Sequence, residues 1–231
     1  MLPPALKQRV RDAFDRAAVT YDAAAVVQRR VCDHLLENLK DSAAAPARIV
    51  DAGCGTGYGA RCLRSRYPAA HITGVNFAPS MLEIAAQATD VCLAADIEKL
   101  PLDDRSFDLW WSSLTIQWCA TPAVFAEAAR VLKPAGRLAL STLGPGTFRE
   151  LREAFSGIDR HRHTLPFSEP GDIAAALENA GFSDITLLRE QHVVELSRSQ
   201  DAVARRQGHR RPERRRRRAQ RDDGPPRLAP T

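Results

Sequence analysis

Asp51, Gly53, Gly55 and Gly57 are set close together in the segment Ile49-Val50-Asp51-Ala52-Gly53-Cys54-Gly55-Thr56-Gly57. Residues of these types at this spacing read as a strand breaking into a turn that cradles a ligand. Glycine reaches positive φ without strain and lets a bulky group press on bare backbone, and the helix that follows offers unpaired N–H groups. Two ligand chemistries suit such a turn. A dinucleotide fingerprint, G-x-G-x-x-A, can be traced through Gly55, Gly57 and Ala60. A dinucleotide also wants an acid about 20 residues on for its ribose, and the second apolar run ends instead at Asn76. The other candidate is S-adenosylmethionine, which carries no phosphate. An acid just before the glycines repels a pyrophosphate yet suits a cationic methionyl end.

The elements that must hold this turn are legible as an alternation of periods. Leu6, Val10 and Phe14 recur every four residues, and Val26, Val27, Val31, Leu35, Leu36 and Leu39 keep helical spacing, so two amphipathic helices precede the first strand. From Ala47 onward, apolar runs at 47–52, 71–76, 91–95, 107–114 and 137–143 alternate with helical stretches near 58–66, 79–88 and 122–132. Strand and helix in turn predict an α/β fold, a parallel sheet with helices on both faces. Pro79 marks a helix start and Lys133-Pro134 a helix end. A helix at 147–155, a polar loop at 157–169, a helix at 171–179 and a long strand at 184–196 are expected to follow. Ligands of an open parallel sheet bind beyond the carboxyl ends of its strands, at the switch in strand order. The strand ends therefore name the site: Asp51 with the glycines, Asn76-Phe77, Asp96-Ile97, Ser112-Ser113-Leu114 and Ser141-Thr142-Leu143.

Composition narrows the classes further. With 231 residues and 44% hydrophobic content the chain can bury one sizeable core. No apolar run reaches the length of a membrane span and the N-terminus lacks a signal-like stretch, so a cytoplasmic protein without a membrane partner is expected. Five cysteines, odd in number and without CxxC spacing, argue against a disulfide framework and a zinc site. His161 and His163 find no third ligand at useful spacing, so no metal is expected. The net charge of +5 is unevenly spread, because residues 204–231 alone carry +8 and the remainder −3.

The segments Val50–Gly57, Ala95-Asp96-Ile97-Glu98-Lys99-Leu100-Pro101 and Arg130-Val131-Leu132-Lys133-Pro134 together resemble the class I S-adenosylmethionine-dependent methyltransferases. That resemblance implies a Rossmann-like sheet and S-adenosylmethionine as methyl donor. It assigns the methionyl part to Asp51, Gly53, Gly55 and Gly57, the ribose hydroxyls to Asn76, the adenine amino group to Asp96 and the adenine face to Ile97. Each role has a physical sense, since a carboxylate accepts from an exocyclic amine and an apolar side chain packs on a π face. Asn76 departs from the family, which has an acid there; one charge-assisted hydrogen bond fewer weakens donor binding by about 1 kcal/mol. Ala135 replaces a glycine usual after Lys-Pro.

Four further pieces resemble the malonyl-acyl-carrier-protein O-methyltransferases of biotin synthesis. They are Phe14-Asp15-Arg16-Ala17-Ala18 with Tyr21-Asp22 and Gln28; Ser112 to Cys119, including Gln117-Trp118; Ser141-Thr142-Leu143-Gly144 with Thr147; and Glu150-Leu151-Arg152 with Asp159, His163 and Phe167. The resemblance runs from about residue 9 to about residue 198. It implies methyl transfer to the free carboxylate of a malonyl thioester, with malonyl-acyl carrier protein or malonyl-CoA as partner and no nucleic acid. Such a carboxylate is ionised at neutral pH, so no general base is needed, and none is apparent. Arg152 is expected to grip the carboxylate, with Tyr21 and Gln117 shaping the cavity. The competing readings are methyl transfer to another small acid or a quinone-type ring, and non-catalytic binding of the donor or of RNA. Three regions follow: N-terminal helices covering the site in 1–45, the donor-binding core in 46–198, and an Arg-rich tail in 199–231. The tail's composition is that of a disordered segment. GC-rich coding DNA read out of frame yields Arg, Pro, Gly and Ala, so a frame-shifted end is expected, leaving the sheet without its C-terminal strand.

Overall fold

The computed structural model describes residues 3–40, 44–155, 158 and 164–193. Contacts divide the chain after Gln191. Of the remainder only His192 and Val193 are described, without regular structure, so the expected tail lies outside the described residues, as do His161 and His163.

Five strands form one parallel sheet in the order β3-β2-β1-β4-β5. They are β1 (Arg48–Ala52), β2 (His71–Asn76), β3 (Val91–Ala94), β4 (Phe107–Ser113) and β5 (Leu132–Ser141). The chain steps outward from β1 to β3, then returns to add β4 on the other side, and that reversal opens a crevice at the carboxyl ends of β1 and β4. The helices are α1 (Pro4–Ala24), α2 (Val26–Asn38), α3 (Tyr58–Arg66), α4 (Pro79–Ala85), α5 (Thr121–Val131), α6 (Arg149–Phe155) and α7 (Pro170–Asn179). Proline sits in the first turns of α4, α5 and α7, where its fixed φ suits a helix start and its missing N–H leaves nothing unpaired.

Strand parity sorts the core into two layers. Ile49, Ile72, Leu109 and Trp111 pack with Leu63 of α3, with Tyr67 just after it and with Cys32 of α2. Val50, Val75 and Trp110 face the opposite way, against Val124, Phe125 and Ala128 of α5 and Ile173 and Leu177 of α7, and Phe107 joins them because the register shifts between Phe107 and Leu109. Trp110 and Trp111 are adjacent in sequence and fully buried on opposite faces. Truncating either to alanine removes about 3–5 kcal/mol, the usual effect of a large core deletion.

The expected strand at 184–196 is not formed in its described part: residues 185–193 carry no strand pairing. A strand exists only by pairing its backbone with a neighbour, and among the described residues no strand pairs with this one. Two helices are shorter than their apolar spacing suggests. The stretch 79–88 is helical only to Ala85, and 147–155 only from Arg149. Ala135 adopts a φ of 62°, the left-handed conformation for which a glycine is the unstrained choice.

Candidate functional site

Beyond the carboxyl ends of β1 to β4 lies a cavity with about 730 Å³ of empty space, partly open to solvent. Its floor is Gly53 and Gly55, and one wall is Asn76, Phe77 and Met81. A second wall is Ala95, Asp96 and Ile97, and a third is Ser113, Leu114, Thr115 and Trp118. Helix α1 closes it with Lys7, Val10, Phe14 and Tyr21.

The three glycines of the turn all have positive φ, yet they serve different ends. A Cβ on Gly53 would lie 2.2 Å from Thr115 Oγ1, and one on Gly57 would lie 3.0 Å from the Ala85 backbone. Both are glycine because protein atoms crowd them. A Cβ on Gly55 would meet nothing within 4 Å. Gly55 therefore presents bare backbone to the open cavity. Gly57 does not line the cavity; it caps α3 at a φ of 83°.

Asp51 is not where the expected contact with a cationic ligand end requires it. It shares strand parity with Ile49 and faces α3, 2% exposed and absent from the cavity lining. A Cβ on Gly59 would stand 3.1 Å from Asp51 Oδ2 and 2.9 Å from Trp111 Nε1, so α3 presses on the carboxyl directly. Burial pushes the Asp51 pKa up to about 7, although the Ala60 backbone N–H, bonded to the carboxyl, pulls the other way. Among the described residues, Asp51 Oδ2 and Trp111 Nε1 have no hydrogen-bond partner.

Asn76 and Asp96, in contrast, line the cavity. Asn76 Oδ1 accepts the Ala78 backbone N–H at 2.9 Å, fixing the amide and leaving its NH2 as the group able to reach a ligand hydroxyl. Asp96 Oδ1 accepts the Glu98 N–H at 3.0 Å, and Oδ2 accepts Lys7 Nζ at 2.7 Å. Ile97 is 5% exposed and supplies an apolar surface beside this carboxylate. Lys7 also meets Glu98 at 2.7 Å. Burial lowers the Lys7 pKa, but its hydrogen bonds to Asp96 and Glu98 outweigh this and hold the ammonium above its ordinary range.

Three more ties hold α1 over the cavity. Asp15 Oδ1 accepts the Ser80 N–H at 2.9 Å, supplying an acceptor to the first turn of α4. Asp22 Oδ1 accepts the Thr56 hydroxyl at 2.5 Å, fastening the end of α1 to the glycine turn. Phe14 sits edge-on to Trp118 and to Phe77, with ring centroids 6.0 and 6.3 Å apart. Tyr21 packs against Phe14 at 6.2 Å, and burial, reinforced by Asp22, raises its phenol pKa. Trp118 is thus a cavity wall, half-buried, while Trp110 and Trp111 are the core aromatics.

The remaining expected site residues fall elsewhere. Gln117 lines a second cavity of about 590 Å³ of empty space, between the β4 loop, the residues after β5 and α7. Its Nε2 donates to Leu114 O at 2.6 Å and its Oε1 accepts the Thr142 hydroxyl at 3.3 Å. Arg152 lines neither cavity. Its guanidinium donates to the carbonyls of Pro145, at 2.7 Å, and Thr147, bracing the turn before α6 rather than gripping a ligand. Sequence reasoning did not single out Lys7 or Thr115. Thr115 had a signal only in hindsight, because Gly53 excludes a side chain where Thr115 packs; Lys7 had none, being one of many charges on an amphipathic helix.

The chain reversal at β1, the open glycine at its end, the amide after β2 and the carboxylate after β3 define a class I S-adenosylmethionine-dependent methyltransferase. A methyltransferase-domain family matches residues 50–140. The chain is 47% identical over 188 residues to a malonyl-[acyl-carrier protein] O-methyltransferase of Dechloromonas aromatica, covering 81% of this chain and 70% of that protein. It is 48% identical over 191 residues to the protein of the same name from Laribacter hongkongensis, covering 77% and 64%. Among solved structures, a SAM-dependent methyltransferase from Thermotoga maritima superimposes with a TM-score of 0.58 at 25% identity, covering 74% of this chain and 80% of the other. The chain belongs to the malonyl-[acyl-carrier protein] O-methyltransferase family. It spans about two thirds of the length of the curated relatives it matches.

Proposed function

We propose that this chain transfers a methyl group from S-adenosylmethionine to the free carboxylate of a malonyl thioester, with malonyl-acyl carrier protein as the preferred acceptor and malonyl-CoA as a smaller alternative. The observation that carries the donor half is Gly55, a positive-φ glycine whose missing side chain faces the open cavity flanked by Asn76 and Asp96. Gly53 and Gly55 hold the methionyl part, the Asn76 amide donates to a ribose oxygen, Asp96 accepts from the adenine amine, and Ile97 covers the ring. Bound there, the donor supplies an electrophilic methyl on a sulfonium, which a carboxylate oxygen takes while the C–S electron pair stays with sulfur.

No proton moves in that step, because a carboxylate with an ordinary pKa near ~4 arrives ionised. The chain's own work is to align and to dry. Phe14, Phe77 and Trp118 wall the cavity with apolar surface, and α1 with Tyr21 closes it against water. Alignment of this kind supplies on the order of 7–11 kcal/mol. The relatives' names support the malonyl acceptor and do not favour a quinone-type ring. Among the described residues no helix is long and apolar enough to cross a membrane, and their five cysteines are free, which suits a reducing cytoplasm. The test is methyl transfer from labelled S-adenosylmethionine to malonyl-acyl carrier protein, malonyl-CoA and free malonate. Label appearing as a base-labile methyl ester on the carrier protein is expected; transfer to none of the three sinks the reading.

A further inference from the structure

Of the described residues that line the donor cavity, Lys7 is the one cation and Asp96 the one anion. Lys7 comes from the first turn of α1, not from a strand end, and it reaches two acids at once: Asp96 Oδ2 and Glu98 Oε1, both at 2.7 Å. The far end of this relay is anchored. The Glu98 side chain is 9% exposed, and its Oε1 also accepts the Ala120 N–H at 2.8 Å, just before α5. Glu98 therefore fixes where the ammonium sits, and the ammonium in turn fixes Asp96.

Asp96 needs such fixing. Its side chain is 46% exposed, so burial does not settle its rotamer, and its local tie, Oδ1 to the Glu98 N–H at 3.0 Å, holds one oxygen only. Both carboxylates lie against the same ammonium, and without that charge two anions at such close range repel each other. Lys7 removes both freedoms, because it pins Oδ2 and offsets the second negative charge. The carboxylate still has room for a ligand. Its two oxygens offer about four lone-pair sites, and the bonds from the Glu98 N–H and Lys7 take one on each oxygen.

Resting on the donor site proposed above, we infer that Lys7 is a positioning residue for donor recognition: it acts through Asp96, aiming the carboxylate at the exocyclic amine of the adenine ring. Helix α1 then has a different task at each end. Its first turn helps to select the base through Lys7, while its last turn holds the glycine turn through Asp22 and Thr56. An ion pair this exposed contributes modestly, so its loss costs a few-fold in donor affinity and does not abolish binding.

The experiment uses the full chain and two calorimetric probes, S-adenosylhomocysteine and its analogue with hydrogen in place of the purine 6-amine. The parent is expected to bind the first about tenfold more tightly or better, the usual effect of one charge-assisted hydrogen bond. Lys7→Met keeps the stem and removes the charge. In that variant the S-adenosylhomocysteine Kd should weaken about fivefold while the analogue's Kd stays within about twofold of the parent. Lys7→Arg, which restores a cation, should bring S-adenosylhomocysteine back to within about twofold of the parent. Equal weakening of both probes in Lys7→Met would make Lys7 a tie of the cover with no part in reading the base, and no change in either would detach it from Asp96; both results overturn the inference and leave methyl transfer standing. A parent that binds the two probes alike overturns the placement of adenine at Asp96 and this inference together. A parent that binds neither overturns the donor reading itself.

Discussion

Two acids stand toward the carboxyl ends of strands, Asp51 within β1 and Asp96 after β3, and their surroundings are opposite. Asp51 lies under α3 among Gly59, Ala60 and Trp111, shut off from the cavity, with its pKa pushed up to about 7 by burial. Asp96 stands on the cavity wall, half-exposed, and holds Lys7 at 2.7 Å. The floor beneath the glycine turn is built for packing, and the wall beside it for contact. A residue's place in a motif therefore does not tell whether it touches the ligand; the face of its strand does.

The largest test of that contrast is pH dependence through Asp51. Its folded pKa stands above the unfolded value, so its contribution is complete below about 3.8 and is lost as pH rises through about 7. A shift of that size corresponds to about 4 kcal/mol at about 1.4 kcal/mol per pKa unit. Asp51→Asn keeps an acceptor for the Ala60 N–H and removes the ionisation. Urea unfolding of the variant is expected to lose the fall in stability between about pH 4 and pH 7 that the parent shows. Parallel pH profiles for the two proteins would place the charge elsewhere.

The wall is tested at Asp96. Asp96→Ala removes the carboxylate proposed to accept from the adenine amine, and charge-assisted hydrogen bonds are worth about 1.5–3 kcal/mol. Titration with S-adenosylhomocysteine should show Kd weakened by about ten- to a hundredfold, with urea midpoints changing little because the carboxylate is half-exposed. Unchanged binding removes Asp96 from the site and breaks the contrast.

Much of this was legible beforehand, for identifiable reasons. Period-2 runs such as Ile49-Val50 and Leu109-Trp110 are apolar on both faces, which marks a doubly covered parallel sheet, and the strand ends then named the cavity wall. That same two-sided burial hid the orientation of Asp51, because alternation between two apolar faces cannot say which one lies under a helix. That Gln117 and Arg152 lie outside the donor cavity was hidden for another reason. Both bond to backbone carbonyls of irregular turns, at Leu114, Pro145 and Thr147, and such turns leave no period to read. The run after Asp184 is apolar enough for a strand, but a strand depends on a partner that its own sequence does not contain.

A finer division separates a wall residue able to contact a ligand from a strained residue away from the wall. Asn76 already spends its oxygen on the Ala78 N–H, so it can offer the ribose a donor and no acceptor. Asn76→Asp keeps that bond through one oxygen and turns the other into a charged acceptor, and S-adenosylhomocysteine binding should tighten several-fold, about 1 kcal/mol. Ala135 is that strained residue, at a φ of 62° in β5 and outside the cavity lining. Relief of a left-handed alanine is worth about 1–2 kcal/mol, and the added freedom of glycine in the unfolded chain takes back about 0.4–1. Ala135→Gly should therefore raise stability by about 0.5 kcal/mol in urea and leave the S-adenosylhomocysteine Kd as it was. A change in Kd instead would mean that strain at this turn is transmitted to the cavity, and that floor and wall are not as separate as their packing implies.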